Sequence, residues 1–148
     1  PKFQPKDPAF ATRVRASFAR QKAMVLVGAT LTVVEPGYVE VALPYRPELT
    51  QQKAYVHGGI LGMIADSACG YAAYSLMPAT SSLVTVEYKI NILAPALGDL
   101  VARGQVIRPG RTLTIARGDV YAADGTHVAS MQQTLMMLPD TPDTPEDA

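Results

Sequence analysis

From Ala54 to Val86 the chain carries one full charge at neutral pH, Asp66, within Ala54-Tyr-Val-His-Gly-Gly-Ile-Leu-Gly-Met-Ile-Ala-Asp-Ser-Ala-Cys-Gly-Tyr-Ala-Ala-Tyr74. Its neighbours Ile60, Leu61, Met63, Ile64, Ala65, Ala68, Cys69, Ala72 and Ala73 are apolar or small. They fall on every side of a 3.6-residue wheel, so the pattern predicts a helix enclosed by the rest of the fold. An aspartate in such a helix is costly unless something bonds to it. Asp66 is therefore a candidate for chemistry, or for a purely structural bond to backbone.

Gly58-Gly59 precedes this helix and permits close approach by another group. The first helical turn leaves backbone N–H groups unpaired at the positive end of the helix dipole. An oxygen developing negative charge would be held well there. A glycine pair before a helix is also often no more than a tight turn.

Along the rest of the chain, Asp7-Pro8 predicts a helix start. Phe10, Val14 and Phe18 then recur at four-residue spacing among Arg13, Arg15, Arg20 and Lys22, which gives a packed amphipathic helix over residues 1–23. Met24 to Val34 reads as a strand that turns at Glu35-Pro36-Gly37 into a second strand, Tyr38 to Leu43. Residues 44–56 read as a loop. After Met77-Pro78, alternation of Val84, Val86, Tyr88, Ile90 and Ile92 with polar residues predicts a half-buried strand. Leu100 to Ile107, Thr112 to Tyr121 and Thr126 to Leu138 follow as strands, the last two joined by Ala123-Asp124-Gly125. One enclosed helix among strands with short connections predicts an α+β antiparallel sheet curved around that helix, over residues 24–138. Residues 139–148 are acidic and proline-rich, and disorder is expected there.

His57-Gly58-Gly59, Asp66 nine residues after the histidine, and Val84-Thr-Val-Glu-Tyr-Lys-Ile-Asn-Ile-Leu-Ala-Pro-Ala96 together resemble the hotdog-fold thioesterases, most closely the PaaI-like (phenylacetyl-CoA thioesterase) group. Gly98-Asp99 and Arg108-Pro-Gly-Arg-Thr112 sit where that family has its later turns, and the match runs from about Leu31 to Leu138. The resemblance implies a hotdog fold and hydrolysis of an acyl-CoA thioester to free acid and coenzyme A. It implies Asp66 as base or nucleophile, and the N–H of Gly58 or Gly59 as oxyanion hole. His57 would orient the thioester or the turn. Gln51 stands where some members carry a water-positioning asparagine, and is one methylene longer. Thr85 matches a family hydroxyl that holds water against the carboxylate; as a bare sequence feature it is equally an ordinary strand threonine. The resemblance also implies that Arg108, Gly110 and Arg111 form the turn that contacts the nucleotide end of coenzyme A, a task suited to the guanidinium fork; as a bare sequence feature it is equally an ordinary solvated turn. The resemblance further implies a homodimer with shared sites, usually doubled into a homotetramer. The alternatives are a hotdog module that binds acyl-CoA without turning it over, and a hotdog dehydratase.

Tyr55, Tyr71, Tyr74, Met63 and Leu61 have the character of an apolar acyl pocket, and equally that of core. Lys plus Arg and Asp plus Glu number 13 each, so no global field favours nucleic acid or an anionic membrane. The one cysteine, Cys69, reads as core packing in a reducing compartment. No metal-ligand cluster, Walker loop or serine-hydrolase elbow is present in the sequence, no cofactor is expected, and His127 reads as a surface or packing histidine. A soluble cytoplasmic enzyme is the expectation.

Overall fold

A computed structural model of the chain describes residues 3–145. The last three residues of the expected tail lie outside the described residues. In chain order the elements are α1 (Phe10–Ala19), α2 (Lys22–Val27), β1 (Thr30–Glu35), β2 (Tyr38–Leu43), a 3₁₀ turn at Pro47–Leu49, α3 (Gly58–Tyr74), β3 (Ser82–Ile92), β4 (Leu100–Pro109), β5 (Leu113–Ala122) and β6 (His127–Leu138). The six strands form one sheet in the order β1-β2-β4-β5-β6-β3. Every pairing is antiparallel. The sheet wraps α3, the hotdog arrangement expected from the sequence.

The enclosure of α3 depends on small residues on both sides of the contact. Gly104 on β4 and Gly118 on β5 are cross-strand partners. A Cβ on Gly104 would stand 2.2 Å from the Ala68 carbonyl, and one on Gly118 would stand 2.8 Å from Cys69 Sγ. Ala65, Ala68 and Cys69 sit over this floor with no exposed surface. Helix backbone and sheet backbone therefore meet with almost nothing between them. Burial in this seam, with the Asp66 and Asp119 carboxylates adding, pushes the Cys69 thiol far up, so it stays protonated and packs as a small apolar group.

Two expectations need correction. Residues 22–27 form a helix, where a strand from Met24 was expected. Ala23, Met24 and Leu26 are good helix formers. Gly28, at φ 77°, ends the helix in the left-handed conformation, with the Gly28 and Ala29 N–H groups donating to the Val25 and Met24 carbonyls. The strand begins only at Thr30. At the amino end, α1 starts at Phe10, and the Asp7 carboxylate accepts the Ala9 N–H from just outside the helix.

Arg13 ties α1 to the carboxyl end of α3. Its guanidinium meets Asp7 at 2.8 Å, donates to the Tyr74 and Met77 carbonyls, and lies 4.1 Å from the Tyr74 ring centre. A cation there is also favoured by the negative end of the α3 dipole. Val14 and Phe18 are buried on the same side.

Gly104→Ala tests the seam. The added methyl has backbone in its way, so α3 must lift. Stability is expected to fall by about 1–3 kcal/mol, the usual cost of overpacking. Denaturant unfolding measures it; a wild-type midpoint would show that the seam has room to spare.

Candidate active site

Asp66 lies in the middle of α3 and is half-buried. Its Oδ1 accepts the Thr85 hydroxyl at 2.8 Å and the Gln133 side-chain N–H. Gln133 Nε2 is also 3.1 Å from Thr85 Oγ1, closing a triangle of polar atoms. Thr85 stands beside a register shift in the β3–β6 pairing, where the extra residue re-aims the strand toward the helix. Gln133 belongs to the inward series Met131, Gln133, Leu135 of β6 and is 1% exposed. Among the described residues nothing donates to Asp66 Oδ2.

Beside Asp66 opens a cavity of about 130 Å³. Its inner wall is α3, through Ser67, Gly70, Tyr71 and Tyr74; its outer wall is Ser17, Gln21 and Asp143, with Leu83 and Thr85 of β3 completing it. Ser17 donates to the Asp143 carboxylate, which Arg20 also meets at 3.0 Å. That uses the only proton on Ser17, so at the 3.0 Å contact with Ser17 the Tyr71 hydroxyl is the donor. Burial foremost, with the Asp143 charge adding, pushes the Tyr71 phenol up to about 12.

The amino end of α3 lines a different cavity, of about 360 Å³, which Gly58 shares with Gln51, Tyr55, Leu61, Ile92 and the segment Leu93–Ala96. His57 is the N-cap: its Nδ1 accepts the Gly59 N–H at 2.9 Å, and its carbonyl accepts from Ile60 and Leu61. The Gly59 donor is thus occupied, whereas the Gly58 N–H has no acceptor among the described residues. A Cβ on Gly58 would stand 2.8 Å from Ile92 Cδ1, so a larger residue there would have to push the Ile92 side chain aside. The Gln51 side-chain oxygen accepts the Lys53 N–H.

Arg108, Gly110 and Arg111 sit at the β4–β5 turn. A Cβ on Gly110 would lie 2.1 Å from the Leu113 carbonyl, which explains the glycine in so tight a hairpin. Gly110 and Arg111 line a third cavity, of about 420 Å³, shared with Lys6 and with Leu76 and Met77 just beyond α3. Both arginines are exposed and have no ion pair or side-chain hydrogen bond among the described residues. Within one chain, then, the residues singled out in the sequence form three separate groups: Asp66 with Thr85, Gly58 with Gln51, and the arginine turn. His127 stands apart, 2.8 Å from Asp119 and stacked on Tyr121.

A family model described as the thioesterase superfamily matches residues 54–129. The chain belongs to the thioesterase superfamily. A thioesterase family protein of known structure from Silicibacter pomeroyi is 46% identical, with a TM-score of 0.85 over 88% of this chain and 98% of that one. A protein named as an esterase from Halobacterium salinarum is 31% identical over 114 residues, 70% of this chain and 76% of the relative. The PaaI protein of the E. coli phenylacetic acid degradation operon, 19% identical, has the same fold, with a TM-score of 0.83 over 89% of this chain and 95% of that one. The enzyme is a thioesterase, and thioester hydrolysis is the general chemistry its site must support.

Reading this thioesterase from sequence misses Gln133, Ser17 and Gln21. For Gln133 a signal exists: it falls in phase with Met131 and Leu135 on a strand whose other inward residues are apolar. Ser17 and Gln21 carry no comparable signal, because both look like polar surface positions around a short amphipathic helix.

The Tyr71 phenol supplies a pH test. An unfolded chain loses this proton at the ordinary phenol value of about 10, whereas the folded chain holds it to about 12. Over that window the folded state binds more protons, so stability falls as pH rises through it. Tyr71→Phe is expected to flatten this fall, measured as unfolding midpoint against pH. An unchanged slope would mean that the phenol ionises as freely folded as unfolded.

Proposed function

We propose that this thioesterase hydrolyses acyl-CoA thioesters with the Asp66 carboxylate as base or nucleophile, in a site completed by a second copy of the chain. The observation that carries this reading is the state of Asp66: one carboxylate oxygen bonded to Thr85 and Gln133, the other unbonded, at the edge of a cavity. A carboxylate so supplied with donors can remain ionised while half-buried. As a base it takes a proton from water as the water oxygen attacks the thioester carbon. The tetrahedral oxyanion is held by the free Gly58 N–H at the helix amino end. When the C–S bond breaks, the coenzyme A thiolate leaves with that proton. As a nucleophile, Asp66 would instead attack the thioester carbon and expel the coenzyme A thiolate, leaving an anhydride with the acyl group that water cleaves in a second step to free acid and the carboxylate.

One chain cannot perform this alone. Gly58 and Asp66 are two turns apart on α3, about 12 Å along the axis. Both groups have to lie within hydrogen-bond or attack distance of one carbonyl, about 3 Å. A second copy can bring its Gly58 to the Asp66 of the first. The sheet edge offers the means, because β3 pairs on one side only and exposes Val84, Val86, Tyr88 and Ile92. An apolar, unpaired edge strand calls for a partner strand. The Arg108 and Arg111 guanidinium groups, with no ion pair or side-chain hydrogen bond among the described residues, suit the coenzyme A phosphates.

The cavity beside Asp66 has the size of a space that admits a benzene ring. Turnover is therefore expected to favour aryl and short acyl groups over palmitoyl-CoA in a thiol-release assay.

Asp66→Asn preserves shape and removes the charge. Turnover is expected to fall by about 10²–10⁴-fold with a folded protein, measured by single-turnover hydrolysis alongside thermal unfolding. Hydrolysis within a few-fold of wild type would take Asp66 out of the mechanism. Light scattering is expected to show a dimer or tetramer at micromolar concentration, and an active monomer would sink the shared site.

A further inference from the structure

We propose that Gln133 is a positioning residue which, together with Thr85, ties down Asp66 Oδ1 and so makes Oδ2 the oxygen that reacts. This rests on the reading of Asp66 as the reacting group and adds to it which atom acts and what holds it.

A glutamine facing a helix from the middle of a sheet is an unfavourable choice. Met131 and Leu135, its inward neighbours on β6, are apolar and enclosed, and Gln133 is as enclosed as they are. A buried amide is tolerated when it is hydrogen-bonded. Gln133 is bonded on one end only. Its Nε2 reaches Asp66 Oδ1 and Thr85 Oγ1, while its Oε1 is buried with no partner among the described residues.

Turning the amide over would not relieve this. It would set the carbonyl oxygen against the Asp66 carboxylate, acceptor facing acceptor, and break both bonds. The unpartnered Oε1 is thus the cost of keeping an N–H on Asp66. Packing alone gives no reason to accept it, since methionine has nearly the same volume and no polar end.

The proton arrangement is consistent throughout. Thr85 has one hydroxyl proton, directed to Asp66 Oδ1, and its oxygen accepts from the second Gln133 N–H. Both donors therefore converge on a single carboxylate oxygen, and the carboxylate cannot turn about its own axis without losing them. Oδ2 is left for water or the thioester carbon. Thr85 comes from β3 and Gln133 from β6, so the two donors also lock α3 to the pair of strands nearest the open edge.

The test compares Gln133→Met, Gln133→Asn and Asp66→Asn by steady-state hydrolysis of an aryl-CoA thioester, with thermal unfolding of each. Methionine fills the space without a donor, and asparagine keeps the amide but is one methylene too short to reach Oδ1. For both Gln133 variants kcat is expected to fall by about 10- to 100-fold, the usual effect of removing a group that orients a reacting one, with KM within a few-fold. For Gln133→Met the melting temperature is expected to hold or rise, since an unpaired polar atom is removed along with the bond. A kcat within two-fold of wild type in either folded variant would overturn the proposal. So would a lowered melting temperature with kcat unchanged, which marks a packing role. Should Asp66→Asn be inactive while Gln133→Met is fully active, only this inference fails. Should Asp66→Asn keep its turnover, the reading of Asp66 itself fails first.

Discussion

The close seating of α3 on the sheet governs the rest of this structure. Gly104 and Gly118 leave the floor bare where Ala65, Ala68 and Cys69 come down on it, so the helix axis cannot shift outward without opening a void or inward at all. Asp66 lies between those residues along the helix, and its height above the strands is set by that contact. The hydrogen bonds from Thr85 and Gln133 to one carboxylate oxygen tolerate little displacement. A side chain any larger than hydrogen in the seam would lift the carboxylate off its donors as well as weaken the core.

How much of this was legible beforehand follows from where the signals sit. The stretch from Ala54 to Tyr74, with its one aspartate, announces an enclosed helix, and α3 spans Gly58–Tyr74 within it. Alternation places β4 to β6 because each has one face on the helix, which is the condition under which a period of two is visible; on β3 the expected half-buried face is not met within one chain, where Val84, Val86, Tyr88 and Ile92 are exposed. A strand is expected from Met24 because β-branched Val25 and Val27 outweigh the helix formers around them, and the left-handed Gly28 that ends the helix looks like any other glycine in a sequence. The Gly104–Gly118 pair is also illegible in one dimension. Each glycine is unremarkable until the register sets them side by side.

The candidate site was legible one residue at a time and illegible as an arrangement. Asp66, Thr85, Gly58 and the arginine turn could be singled out, but no local pattern says that they fall into three groups on one chain. Nor does it say which of the two glycine N–H groups is free. That follows from the His57 ring, which caps the helix by accepting from Gly59, while the Gly58 N–H has no acceptor among the described residues. Separation along a rigid helix then becomes an argument about assembly. If both ends of the reaction need α3, and one α3 holds them two turns apart, the proposed chemistry calls for two helices, and the unpaired β3 edge lies beside the carboxylate that has to meet the second one.

Division of labour between parts of the chain follows from the same geometry. The superfamily match covers 54–129, which takes in α3, Thr85 and the arginine turn. Ser17, Gln21 and Asp143, the outer wall of the cavity beside Asp66, lie outside it, on the amino-terminal helices and the carboxyl-terminal segment. On the proposed reading, the groups that act on the thioester lie within the match, and part of the wall facing the acyl chain comes from both ends of the polypeptide. The added wall is polar: Tyr71 donates to Ser17, Ser17 to Asp143, and Ser67 to the Gln21 side-chain oxygen at 3.2 Å. An acyl group entering there meets hydroxyls already committed to one another, so an apolar chain end would leave them undisturbed, whereas a polar end would have to compete for bonds already made.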